Sequence, residues 1–331
     1  MHSQRRSIIG AVLWLVPLAL VGVLGYVVFS AFSGERRREP VAPVAIPGDF
    51  PRTIIEDSGA KVVIPAKPVR IIPGDAGMAD ILSVLVAPRC MAALPVWVDE
   101  YGGATEFYLK NKDIVRFQKY VAEPLLSLKP DLLLTDSFQE AGTTGILKEH
   151  GVPVLKFERM RTFEGIRASI MAIGAATGED AKAEALVAAF DKRLKAVEDA
   201  TAKSSRPRTL CYSNFGDGYA VGTGESQDEI IRRAGGVNAA AEMNLVGHVR
   251  FKIEQMLKLN PDWIVVAGDK GMESEQVKNL LNQPALAELP AIKLRHIAVV
   301  PDRFFSSISQ YVVDAVEIVA KQIHPDAPIK P

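Results

Sequence analysis

The chain has 331 residues, 48% of them hydrophobic, enough for two domains that each bury a core of their own. Lys and Arg number 39 and so do Asp and Glu, which leaves no net field to attract nucleic acid or another polyanion. The two cysteines, Cys90 and Cys211, and the five scattered histidines offer no CxxC, HxH or HExxH spacing, so a zinc site is not expected. Each cysteine adjoins an apolar run and reads as a buried free thiol, though spacing alone leaves a disulfide between them open.

Residues 8–32 (IIGAVLWLVPLALVGVLGYVVFSAF) carry no charge and follow Arg5 and Arg6. As a helix this run would span roughly 37 Å at about 1.5 Å per residue, more than the hydrocarbon core of about 30 Å. A secretory signal has an apolar region of about 7–15 residues, and only Ala31-Phe32-Ser33 resembles a cleavage site. No cysteine directly follows to carry a lipid, so the segment is expected to be an uncleaved membrane anchor (residues 1–32). Arg36, Arg37 and Arg38 flank its other end, so local charge does not fix which side the rest of the chain faces. The Pro- and charge-rich stretch 33–50 reads as an extended tether.

Beyond it, Ser58-Gly59 is predicted to turn a short hairpin between residues 53–57 and 60–65. Short apolar runs at 69–72, 90–94, 131–135 and 152–157 alternate with helical stretches such as 78–85. Uninterrupted apolar strands separated by helices predict βαβ units and a parallel sheet, so residues 51–178 form a first α/β lobe. Residues 179–205 are different. Leu186, Phe190, Leu194, Val197 and Thr201 recur on one helical stripe, and Ser204-Ser205-Arg206-Pro207 ends the helix. Strands at 209–213, 263–267 and 297–300 then predict a second α/β lobe over 206–331.

The strongest internal signal is a repeat. EPLLSLKPDLLL starting at Glu123 parallels EQMLKLNPDWIV starting at Glu254, both reading E-x-x-L-x-L-x-P-D before an apolar strand. The offset is 131 residues at the glutamates (123 to 254) and again at the aspartates (131 to 262). In each copy a short helix starts at the Glu, its leucines pack inward, and Pro-Asp breaks it and launches the strand. Two lobes built alike follow, with Glu123 and Glu254 at equivalent points. Such a pair suits charge-assisted bonds to arginines of a two-fold partner.

With this repeat the chain resembles the substrate-binding proteins that serve iron-siderophore, haem and vitamin B12 ABC importers. The resemblance runs over roughly residues 51–325, through PAKPVRIIPGDAGMADIL, EPLLSLKPDLLLTDS, HGVPVLKF, GTGESQDEIIRRAGGVNAA, FKIEQMLKLNPDWIVV and DRFFSSISQYVVDAVE. It implies two Rossmann-like lobes joined by one rigid helix, a ligand bound between them, no catalysis, and Glu123 and Glu254 set in arginine pockets of a permease dimer. The chain departs from the family where a serine-proline-x-x-threonine-glutamate run is usual: here Asp80 stands for the glutamate. It departs again at Ser309-Gln310, where a proline-arginine pair is usual and a cationic ligand contact is expected to be lost.

In such a fold the ligand meets loops at the carboxyl ends of the strands. The candidates there are Trp97, Tyr101, Phe117, Tyr120 and Phe138 in the first lobe, and Tyr212, Phe215, Tyr219, Arg303 and Phe304 in the second. Flat aromatics suit a macrocycle or catechol, and an arginine suits an anionic chelate. The expected cargo is a ferric siderophore, haem or cobalamin-like chelate, with no intrinsic cofactor. A membrane-anchored ligand sensor would share every feature but the permease. An anchored α/β enzyme is disfavoured, because no GxSxG elbow, P-loop or GxGxxG after a strand occurs.

Overall fold

The computed structural model describes residues 44–45, 49–137, 139, 141–213 and 218–329. The expected anchor at 8–32 and most of the expected tether lie outside them. Among the described residues no helix is long and apolar enough to cross a membrane. One part of the tether reading is corrected: Val44–Ala45 is a short strand, pairing antiparallel with Ile54 and Ile55.

The predicted hairpin forms from Arg52–Ile55 and Lys61–Ile64, with Ile54 facing Val62. Its turn uses Gly59 at φ +84°, a left-handed conformation that a side chain would oppose. Glu56 and Asp57 then tie the hairpin to the first lobe. Their carboxylates accept from the backbone N–H groups of Lys156 and Glu158 at 2.8 and 2.7 Å.

The fold is mixed α/β with parallel sheets. In the first sheet Leu132–Asp136 lies between Ile71–Pro73 and Val154–Phe157, all parallel. Nearly every residue of these strands is buried, as a sheet covered on both faces requires. A bridge from Ile71 to Met91 leads on to a small parallel pair, Leu94–Pro95 with Arg116–Phe117. In the second sheet Trp263–Ala267 lies between Arg208–Ser213 and Ile297–Val300, again parallel. Tyr219–Val221 and His248–Arg250 extend it antiparallel, two strands that the sequence pattern did not announce.

The chain passes from the first sheet to the second through two consecutive helices, Phe163–Thr177 and Asp180–Thr201. Gly178 at φ +69° turns one into the other. The second falls within the stretch 179–205, and its buried stripe is Ala183, Phe190, Leu194, Val197 and Thr201, with Leu186 only partly covered. Each large apolar side chain buried here contributes about 1.5–3 kcal/mol. The cluster that holds this stripe also includes Ile71 and Leu132 from the first sheet and Val265 and Val300 from the second. One continuous apolar core therefore runs through the linking helix.

The two helices approach closely because Gly174 faces Ala183; a Cβ on Gly174 would lie 2.3 Å from the Ala183 Cβ. Gly174→Val is expected to lower the free energy of unfolding by about 1–3 kcal/mol, read from urea titration, because the pair must separate. Both cysteines are free. Cys211 is buried, which pushes its thiol far above the ordinary range, whereas Cys90 is only half-buried.

Candidate docking and ligand sites

The repeated motif builds the same local structure twice. Glu123 lies in the first turn of the helix Ala122–Ser127, and Glu254 in the first turn of Ile253–Leu259. Both glutamates are exposed, while Leu125 and Met256 of the same helices are buried. Each helix ends on a left-handed residue before the proline, Lys129 at φ +50° and Asn260 at φ +48°. The aspartate after the proline then binds the start of a neighbouring strand. Asp131 accepts from the N–H groups of Val69 and Arg70 at 2.8 Å each, and Asp262 accepts from that of Arg208 at 2.7 Å.

The ligand candidates divide. Phe117 and Tyr120 are buried in a core under the first sheet, and Tyr212 in the core of the second, so packing accounts for these three. Trp97 is half-buried and meets Phe117 edge-on, with ring centroids 6.2 Å apart. Tyr101 is 45% exposed in the helix Val98–Tyr101. Tyr219 is half-buried, opposite Ser213 and Arg250 in the sheet. Phe138 and Phe215 lie outside the described residues.

Arg303 and Phe304 sit on the short helix Asp302–Phe305 after the last strand of the second sheet, and that helix packs against Val98–Tyr101 of the first lobe. The Arg303 guanidinium lies 5.4 Å from the Phe304 ring, and its Nη1 donates to Thr105 Oγ1 at 3.5 Å. Its Nε is buried without a hydrogen-bond partner. Thr105 also lines a cavity of about 410 Å³, together with Asp99, Tyr108, Leu109, Lys112 and Arg116. Burial, then Asp269 and Glu100, push the Asp302 carboxyl up, so acidic groups from both lobes gather around Asp302.

The two departures from the family pattern meet each other. Asp80, buried on the helix Ala76–Leu85, accepts from the N–H groups of Gly103 and Ala104 at 3.0 Å each and from the Tyr108 hydroxyl at 2.7 Å. It also accepts from Ser309 Oγ at 3.1 Å, and Gln310 Nε2 donates to the Asp80 carbonyl at 2.9 Å. Ser309 and Gln310 thus hold the closing loop to the first lobe. Burial pushes the Asp80 carboxyl up to about 6 despite its four donors. Asp75, the N-cap of the same helix, accepts from the Met78 N–H at 2.7 Å. Burial and then Asp136, at the end of the neighbouring strand, raise its carboxyl well above the ordinary range. The sequence singled out Asp80 only as a substitution; a charged residue amid the apolar run AGMADILSVL was the available signal that it is buried and bonded.

At the far end of the second sheet Trp263 stacks on His296, centroids 4.5 Å apart and planes 3° from parallel. His296 Nδ1 lies 3.2 Å from the Asp262 carbonyl.

Two parallel sheets, one repeated helix–turn–strand motif and a closing loop that joins the lobes define an α/β solute-binding protein. The chain belongs to the periplasmic binding protein family, whose model matches residues 112–304. It is 27% identical over 289 residues to an uncharacterised ABC transporter substrate-binding lipoprotein, YvrC, of Bacillus subtilis, covering 84% of this chain and 87% of that protein. It is 31% identical over 147 residues to a cobalamin-binding protein of Halobacterium salinarum, a stretch covering 44% of this chain and 40% of that one. Its fold matches the periplasmic heme-binding protein RhuT of Roseiflexus sp. RS-1 with a TM-score of 0.66 at 23% identity, over 77% of this chain and 98% of that one. These relatives bear the names of binding proteins and not of enzymes.

Proposed function

We propose that the chain is the extracytoplasmic substrate-binding component of an ABC importer, held at the membrane by its N-terminal segment. It takes a metal chelate between its two lobes and delivers it to a permease dimer. The observation that carries this reading is the pair of exposed glutamates, Glu123 and Glu254, presented on the same motif at equivalent points beside the two sheets. Trp97, Tyr101, Tyr219, Arg303 and Phe304 are the ligand contacts this reading favours. Relatives named for cobalamin and haem support a macrocyclic chelate as the cargo.

Titrating residues 40–331 with haem, cyanocobalamin and a ferric hydroxamate while following tryptophan emission tests the reading. One of the three is expected to bind with submicromolar affinity; failure of all three to bind tighter than micromolar removes the metal-chelate assignment. For an anionic member of the set, Arg303→Ala is expected to weaken binding about 10-fold or more in the same titration, since a charge-assisted bond contributes about 1.5–3 kcal/mol.

A further inference from the structure

Arg70 and Arg208 do in the two lobes what the sequence repeat does not record. Arg70 precedes the first strand of the first sheet, and Arg208 opens the first strand of the second. Arg70 Nε donates to the carbonyls of Leu128 and Lys129 at 2.9 and 3.1 Å. Arg208 Nη2 donates to the Leu259 carbonyl at 3.0 Å, and its Nη1 to that of Asn260 at 2.9 Å. Leu128 and Leu259 are equivalent positions of the repeat, and so are Lys129 and Asn260. In each lobe, then, a guanidinium holds the last carbonyls of the glutamate-bearing helix. The backbone beside that arginine is held in return. The Asp131 N–H donates to the Arg70 carbonyl at 3.0 Å, and the Asp262 N–H to the Arg208 carbonyl at 2.8 Å. With the aspartate carboxylates bound to the arginine N–H groups, each lobe carries a closed clasp of Arg side chain, helix end and Asp turn.

Helices of six and seven residues are too short to hold their direction by their own hydrogen bonds. Their last carbonyls also lack partners inside the helix. A side chain anchored at the start of the adjacent strand supplies both the partner and a fixed direction. Arg208 is itself braced by Glu242, 2.7 Å from its Nη2. We infer that Arg70 and Arg208 are positioning residues for docking: they set Glu123 and Glu254 at a fixed separation and orientation, so that both can enter their sites on one permease dimer together. This inference rests on the docking role proposed above for the two glutamates.

Two measurements on the full chain test it. Ser127 and Lys258 are exposed and equivalent in the repeat, so spin labels on S127C/K258C, in a C90S background, report the separation of the two docking helices. Arg70→Ala/Arg208→Ala is expected to broaden that distance distribution at least twofold, while Arg70→Lys/Arg208→Lys, which keeps one carbonyl bond per lobe, restores most of the sharpness. An unchanged distribution overturns the inference. In proteoliposomes carrying the cognate permease and its ATPase, the double alanine variant is expected to need at least 10-fold more binding protein for half-maximal ATPase stimulation, with the maximum kept. A merely structural role would lower the melting temperature and leave that half-saturation point, measured on folded protein, unmoved. Glu123→Ala/Glu254→Ala is the companion variant. If it alone loses docking, the clasp inference fails and the docking reading stands; if it docks like wild type, the docking reading itself fails.

Discussion

Asp80→Ala is expected to lower the stability of the fold by about 3–5 kcal/mol. The substitution leaves the Gly103 and Ala104 N–H groups, the Tyr108 hydroxyl and Ser309 Oγ without their shared acceptor in a buried site. It also removes the Ser309 bond that ties the closing loop to the first lobe, while Gln310 keeps its bond to the residue 80 carbonyl, so the loss is larger than that of one surface hydrogen bond. The same carboxyl makes stability depend on pH. It titrates near 6 in the fold against 3.8 ordinarily, so the fold binds its proton more tightly than the unfolded chain does. Its contribution is therefore most favourable below pH 3.8 and declines as pH rises from 3.8 to about 6, by up to ~3 kcal/mol. Asp80→Asn removes that dependence. Wild-type stability minus that of Asp80→Asn, from urea unfolding, is expected to be greater at pH 4 than at pH 7 by up to ~3 kcal/mol; an equal difference would contradict the assignment.

Glu123→Ala/Glu254→Ala is expected to abolish uptake without touching ligand affinity. Both carboxylates are exposed, so their removal from the free protein costs the fold only the interaction with a helix start, about 0.3–1 kcal/mol each at most. Against arginines in closed pockets each is worth more, and the pair together about 3–6 kcal/mol, which corresponds to at least two decades in affinity for the permease. Uptake and ligand titration on the same variant separate the two effects. Normal uptake by the double variant would rule out docking through these residues, and a parallel loss of ligand binding would point to misfolding.

Much of the fold was legible because it rests on local patterns. The uninterrupted apolar runs around Leu132–Asp136 and Trp263–Ala267 became central parallel strands, and the stripe through Phe190, Leu194 and Val197 became the buried face of the linking helix. The paired glutamates were legible for the same reason, since a repeat at constant offset survives without any contact being known. What stayed hidden depends on residues far apart in the chain. Asp80 and Ser309 are separated by 229 positions, and neither carries a mark of the other. The aromatics were overcounted for a related reason: Phe117, Tyr120 and Tyr212 lie near loops in sequence, but their rings turn inward to cores that form only when distant strands meet. Tyr219–Val221 and His248–Arg250 are too short to show an alternating pattern by themselves.

The stack of Trp263 on His296 has an optical consequence. An imidazole lying flat against an indole alters its emission, so Trp263 reports whether its stack on His296 is intact. Trp97 follows the short strand Leu94–Pro95, edge-on to Phe117, and reports its own surroundings instead. Residues 40–331 hold only these two of the chain's three tryptophans. A ligand that meets Trp97, as proposed above, is therefore read through one indole, and the packing at the far end of the second sheet through the other. Trp263→Phe and Trp97→Phe divide the two signals, giving the protein a built-in two-channel fluorescence readout.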